Sequence, residues 1–233
     1  MTSQASPFKV LDRGFKKTIC LIPGWATDYR IFSLLELDYN YLLPVDFSPV
    51  NFKDKLSQLL KEEYPGKISL LGWSQGGFLA ADFTLDNPGW IEELILVSMR
   101  RHYPACTLEG VRGQLNKSRK AYLYRFYLDC FCDADKESLS WFRKNLLRDY
   151  LSEMRTESLM EGLDYLSGAG LDLGRLASLE KTRFFHGAED NIAPAAEVAQ
   201  IQAGLPRAEF IYIKGCGHIP LLSRIFREEF YRG

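Results

Sequence analysis

Short apolar runs recur along this chain, and each is followed by a stretch with helical character. TICLIP at 18–23, YNYLLPVDF at 39–47, KISLLGW at 67–73 and IEELILVSM at 91–99 read as strands. Between them, residues 28–35 read as a short helix. FKDKLSQLLKEEY at 52–64 sets Leu56, Leu59 and Leu60 on one helical face, and GGFLAADFTLDNP at 76–88 is a helix that Pro88 stops. Strands that are apolar on both faces and alternate with helices belong in a parallel sheet covered on both sides. The rhythm breaks from about Arg100 to Gly170, where the sequence is helical, charged and aromatic with no strand signal. It resumes with KTRFFHG at 181–187, PAAEVAQIQAGLP at 194–206, AEFIYIKG at 208–215 and a last helix over 219–231. The expectation is an α/β fold with a mostly parallel central sheet and helices on both faces. Residues 1–99 and 171–233 form its core, and residues 100–170 form a helical lid inserted after the fourth recognisable strand.

Composition narrows the function. At 233 residues the chain is long enough for one sizeable core. A net charge of −1 gives no global case for nucleic acid. No window approaches 18 uninterrupted apolar residues, so no membrane span is expected. MTSQASPFKV lacks the basic-then-apolar pattern of an export signal. The five cysteines form no CxxC or zinc pattern, as expected of reduced thiols in a cytoplasmic protein.

The chemistry concentrates at Gly72-Trp73-Ser74-Gln75-Gly76, a G-x-S-x-G sequence between an expected strand and an expected helix. A sharp turn there strains the serine backbone, and glycines remove side chains that would collide with the neighbouring elements. Ser74 would project above the sheet at a helix N-terminus, where free N–H groups carry partial positive charge. Serine is also a favoured helix cap, so the motif needs partners before it means catalysis. A serine hydroxyl is a poor nucleophile until a base takes its proton. Of the three histidines, His218 lies in a loop after the last strand, from which it can reach the sheet end. His186 reads as a core or rim residue, and His102 opens the helical segment. The carboxylate that orients the base is Asp190 in HGAEDNIAP, with its neighbour Glu189 as the rival. The backbone N–H of Gln75, and that of Trp25 in the loop IPGWATD, are the expected oxyanion donors.

The order Ser74, Asp190, His218 is that of α/β-hydrolases. More narrowly, PGW at 23–25, GWSQGG at 72–77, EGLDYLSGAGLDLGRL at 161–176 and RFYLDC at 125–130 resemble the BioH family, the pimeloyl-acyl-carrier-protein methyl ester esterases of biotin synthesis. The resemblance runs from about Thr18 to Phe230. It implies substrate contacts at Trp25 and Gln75, and at Phe126, Tyr127, Leu128, Asp129 and Cys130 in the lid. It also implies docking of an acidic acyl carrier protein at Arg125, with Arg119 and Arg143 as neighbours. The chain departs from the family at Pro23, where a histidine is usual. After the second strand, a glycine-rich turn is reduced to VDFSPVNF around Asp46.

Charge bears independently on the partner. Residues 100–148 hold 11 basic and 5 acidic side chains, while the rest of the chain holds 18 and 25. A basic lid on an acidic body suits an acidic partner, although an ordinary solvated helical surface can look the same. The lid aromatics Tyr122, Tyr124, Phe126, Tyr127, Phe131, Trp141 and Phe142 are expected mostly to pack helix on helix, with a few facing the pocket. The leading expectation is therefore a serine carboxylesterase acting on the methyl ester of a carrier-bound acyl chain, with no metal or organic cofactor. A general carboxylesterase or thioesterase for small acyl substrates is the alternative. A non-catalytic binding protein on the same scaffold is a further one.

Overall fold

The structure is a computed structural model that describes residues 6–45, 47–64 and 66–232. Asp46, around which the shortened turn was read, lies outside the described residues, as do the first five residues of the export-signal reading. In chain order the elements are β1 (Phe8–Leu11), β2 (Thr18–Ile22), β3 (Asn40–Pro44), α1 (Phe52–Glu63), β4 (Ile68–Trp73), α2 (Gln75–Asp86) and β5 (Ile91–Val97). The helices α3 (Ala105–Asp129), α4 (Lys136–Asn145), α5 (Leu147–Glu153), α6 (Thr156–Gly168) and α7 (Leu173–Leu176) follow. The chain then continues through β6 (Thr182–Gly187), α8 (Ala195–Gly204), β7 (Glu209–Ile213) and α9 (Arg224–Phe230).

The seven strands form one sheet in the order β1-β3-β2-β4-β5-β6-β7. Only β1 is antiparallel, against β3. Every residue of the central strand β4 is buried, which is why it reads as a continuous apolar run. The edge strands β1 and β7 are partly exposed. The sequence pattern missed β1, because four residues at an open edge show too little alternation to register. With β1 counted, the helical insertion follows the fifth strand rather than the fourth. Residues 28–35 form one 3-10 turn at Tyr29–Phe32 rather than a helix. The expected last helix is two pieces, a 3-10 turn at Pro220–Leu222 and then α9. Ser223 separates them by capping α9, its side chain accepting from the Ile225 N–H.

The insertion is tied to the core at its base. His102 and Gly170 form an isolated antiparallel bridge, and the Leu171 N–H donates to the Arg101 carbonyl at 2.9 Å. α3 breaks at Ser118, whose φ of −162° and ψ of 96° are extended. Inside the insertion, Tyr127 and Phe142 rings lie 5.4 Å apart, and Tyr150 stands 5.8 and 6.0 Å from them. This buried aromatic cluster also reaches the loop after β2. The Tyr127 hydroxyl donates to the Ala26 carbonyl at 2.6 Å, and that of Tyr150 to the Asp28 carboxylate at 3.2 Å. Arg30 lies over the Tyr150 ring and pairs with Asp28, Asp149 and Glu153.

Tyr127→Phe tests this attachment. It leaves the Ala26 carbonyl buried without a partner, so the expected loss is about 1–3 kcal/mol in urea unfolding. A loss below about 0.5 kcal/mol would show that the hydroxyl does not hold the insertion to the core.

Candidate active site

The strand β4 ends at Trp73, and α2 begins at Gln75, so one residue makes the whole turn. That residue, Ser74, has φ 53° and ψ −117°, a strained region for a side-chain-bearing residue. The glycines around it answer close contacts rather than a need for positive φ. A Cβ on Gly72 would lie 2.3 Å from the Gly76 carbonyl oxygen, and one on Gly76 would lie 2.3 Å from that of Ile22. Either methyl would drive the β2–β4–α2 junction apart.

His218 reaches Ser74 from the loop between β7 and α9. Its Nε2 is 3.0 Å from the Ser74 Oγ, and its Nδ1 is 2.8 Å from the Asp190 Oδ2. The other Asp190 oxygen accepts the backbone N–H groups of Ile192 and Ala193, both at 2.8 Å. Burial alone would raise the Asp190 carboxyl. The charge and hydrogen bond of His218, with help from His186 and the Ala193 N–H, hold it below the usual carboxylate range. Its rival Glu189 is exposed and turned away, accepting the Cys216 N–H at 3.1 Å. All three members of the line are buried. Such an arrangement can pass a proton from the hydroxyl to the imidazole and hold the resulting cation against a carboxylate.

The His218 loop is fixed by neighbours from both parts of the molecule. The Trp73 indole donates to the His218 carbonyl at 2.7 Å. The His218 N–H donates to the Cys130 carbonyl at 2.7 Å, and the Gly217 N–H to the buried Asp135 carboxylate at 2.6 Å. The second tryptophan, Trp25, donates its indole N–H to the Leu159 carbonyl at 2.9 Å. The Gln75 amide donates to the Gly162 carbonyl at 2.8 Å. Gln75 is the first residue of α2, where a backbone N–H has no partner inside the helix.

The expected lid contacts divide. Phe126 lies 5.1 Å from the Trp25 ring, edge on, and stacks on Tyr122 one turn away at 6.3 Å. Those three rings form an aromatic wall beside the loop after β2. Tyr127 and Cys130, read as substrate contacts, are fully buried, so no solvent-sized space reaches them. Tyr127 belongs to the insertion's own core, and Cys130 serves His218 through its backbone. Leu128 is half-buried and Asp129 exposed. Arg119, read as a docking residue, instead turns its guanidinium onto the Met154 carbonyl. Arg125 and Arg143 are exposed.

Sequence reasoning missed Tyr103. Its hydroxyl lies 3.4 Å from the Ser74 Oγ, and Arg100, paired with Glu197, covers its ring at 5.0 Å. Burial pushes its hydroxyl up to about 12. No motif marks this tyrosine; only the close of the insertion's base onto β5 brings it to the serine.

His186 is buried, and among the described residues neither of its ring nitrogens has a hydrogen-bond partner. Its Nε2 is 3.8 Å from the Asp190 Oδ2. Burial lowers its pKa, and the Asp190 charge only partly offsets that. The unfolded chain therefore takes up a proton below pH about 6.5 that the folded chain refuses. Stability should fall as pH drops through that range. His186→Leu should flatten the fall in urea-unfolding free energy between pH about 6.5 and about 5. An unchanged slope would mean that His186 protonates while folded.

Comparison with known proteins identifies the family and the fold. The alpha/beta hydrolase family model matches residues 21–229. A pimeloyl-[acyl-carrier protein] methyl ester esterase of Nitrosomonas europaea is 29% identical over 189 residues, covering 76% of this chain and 73% of the relative. Its counterpart of the same name in Aromatoleum aromaticum is 27% identical over 187 residues, covering 72% and 73%. Among solved structures, a thermophilic esterase from Thermogutta terrifontis superposes with a TM-score of 0.78 at 19% identity, covering 97% of this chain and 92% of that one. That likeness speaks for the fold. The family match spans nearly the whole chain, with a serine on a strained turn between strand and helix, and this chain belongs to the alpha/beta hydrolase family.

Proposed function

We propose that this protein is a serine carboxylesterase that cleaves the methyl ester of an acyl chain carried on acyl carrier protein. The observation that carries the esterase assignment is the hydrogen-bonded line from Ser74 through His218 to Asp190. In this mechanism the Ser74 Oγ attacks the ester carbonyl carbon while His218 Nε2 takes its proton. The tetrahedral oxyanion is held by the backbone N–H groups of Gln75 and Trp25. Asp190 holds His218 in the required tautomer and stabilises the imidazolium. The carbonyl re-forms, the C–O bond to the methoxy group breaks, and His218 delivers the proton so that methanol leaves. Water, deprotonated by His218, then attacks the acyl-serine. The acid departs, and Ser74 regains its proton.

The carrier-bound substrate is supported by two independent observations. The relatives above carry that activity in their names. In addition, Lys117, Lys120, Arg125, Lys136, Arg143 and Lys144 on α3 and α4 are exposed and make no ion pair among the described residues. The charge is local. Extending the window from 148 to 170 adds Arg155 but five acids, leaving a net +2. Several of those acids are engaged internally, Asp149 and Glu153 with Arg30, Asp164 with Arg112 and Glu161 with Ser48. The exposed cations of α3 and α4 therefore form the face for an acidic carrier, and α3 to α6 act as the lid.

Methanol release from pimeloyl-acyl-carrier-protein methyl ester tests this reading. Turnover should be lost in Ser74→Ala, by about 10⁴-fold or more. Arg125→Glu with Arg143→Glu should raise KM for the carrier-bound ester at least about tenfold, the equivalent of about 1.4 kcal/mol of docking energy, and spare a small free methyl ester. Equal effects on both substrates would exclude carrier docking on this face. Serine-dependent turnover of the free ester alone would leave a general carboxylesterase.

A further inference from the structure

The lid helix α6 approaches Trp25 and the start of α2 most tightly at one glycine. A Cβ on Gly162 would lie 2.6 Å from the Trp25 Cδ1 and 3.0 Å from both the Trp25 Nε1 and the Gln75 Nε2. These are the two residues whose backbone N–H groups serve as oxyanion donors in the proposed mechanism. Their side chains are anchored on the same turn of α6, Trp25 on the Leu159 carbonyl and Gln75 on the Gly162 carbonyl. A helical carbonyl has a second lone pair free for such a donor, so the helix keeps its own bonds.

Gly162 is not explained by the helix itself. It lies inside α6, where glycine costs about 1 kcal/mol relative to alanine. Its φ is not positive, so conformational freedom is not the reason for it either. What remains is the close approach. With alanine, the lid would have to lift by more than a bond's slack, or the Trp25 indole would have to turn. Trp25 cannot turn easily, because Phe126 and Tyr122 stand against it at 5.1 and 6.4 Å. The strain would pass along the side chains to the two backbone positions.

We propose that Gly162 is a positioning residue for the oxyanion hole. By admitting α6 to contact with Trp25 and Gln75, it sets the two backbone donors, so the hole is formed only while the lid is seated. This rests on the oxyanion assignment above. It goes beyond it in making the lid part of the transition-state machinery rather than a cover.

The test compares Gly162→Ala and Gln75→Leu with wild type on a small methyl ester, following kcat, KM, thermal midpoint and the affinity of a trifluoromethyl ketone. That ketone adds the serine as a hemiketal whose oxyanion needs the hole. Gly162→Ala should lower kcat by about 10–100-fold, less than outright loss of one donor, and weaken the ketone in proportion, with KM within about threefold. Gln75→Leu keeps the backbone N–H and removes the side-chain bond to the Gly162 carbonyl, so it should show the same pattern at about 3–10-fold. If Gly162→Ala does not fold, Gln75→Leu decides. A lower thermal midpoint with kcat and ketone affinity unchanged at low temperature would mean a structural role and overturn the proposal. Turnover that survives Ser74→Ala would overturn both this and the mechanism it rests on. Serine-dependent turnover that neither variant alters would overturn the positioning alone.

Discussion

The backbone of Ser74 is the constraint on which the rest of the structure depends. Its left-handed φ of 53° turns the chain from strand to helix in a single residue. The turn holds because β2, β4 and α2 meet without a single Cβ between them at Gly72 and Gly76. Strain of this kind, of order 1–3 kcal/mol, persists only where surrounding contacts over-determine it. Here they do. The Ser74 N–H donates to the Val97 carbonyl on β5, and the Ser74 carbonyl accepts from Gly77, both at 2.9 Å. The hydroxyl is thereby presented at the ends of the parallel strands, where loops from several strands converge.

Those loops are held by aromatic donors and by the insertion, not by the sheet alone. Trp73 fixes the His218 carbonyl, and a Cβ on Gly24 would meet the Trp73 ring at 2.8 Å, so the loop after β2 rests on that same indole. The insertion supplies the Cys130 carbonyl and the Asp135 carboxylate on the histidine side, and the Leu159 and Gly162 carbonyls on the Trp25 and Gln75 side. An enzyme that stabilises a developing oxyanion needs donors that do not reorganise during the reaction. Anchoring the site from above and below meets that need.

Much of this arrangement was legible because close packing and scarce residue types leave local marks in the sequence. The glycines at 72 and 76 announce close approach, the scarcity of histidine singles out His218, and the order of Ser74, Asp190 and His218 matches the topology that joins them. The choice of Asp190 over Glu189 was not legible, since both lie in one turn and only the three-dimensional loop decides which faces inward. Tyr103 and Asp135 were missed for the same reason. Tyr103 reaches Ser74 through a connection whose sequence has no periodicity. Asp135 entered only the charge count over 100–148, yet it is buried and accepts a backbone N–H of the histidine loop. The lid contacts fared worst. On α3, Tyr122 and Phe126 face the Trp25 ring, while Leu123 and Tyr127, and Cys130 just after the helix, are buried. A five-residue segment of helix necessarily points in several directions, so Phe126 through Cys130 could not all line one pocket.

In the proposed mechanism Ser74 is a nucleophile made ready by His218. That role is tested most directly by intact-mass and peptide analysis after treatment with a fluorophosphonate. One phosphonyl adduct per chain is expected, located on Ser74, formed rapidly by wild type and suppressed in His218→Ala while the variant remains folded. Absence of an adduct on folded wild type, or an adduct on another residue with Ser74 untouched, would contradict that role.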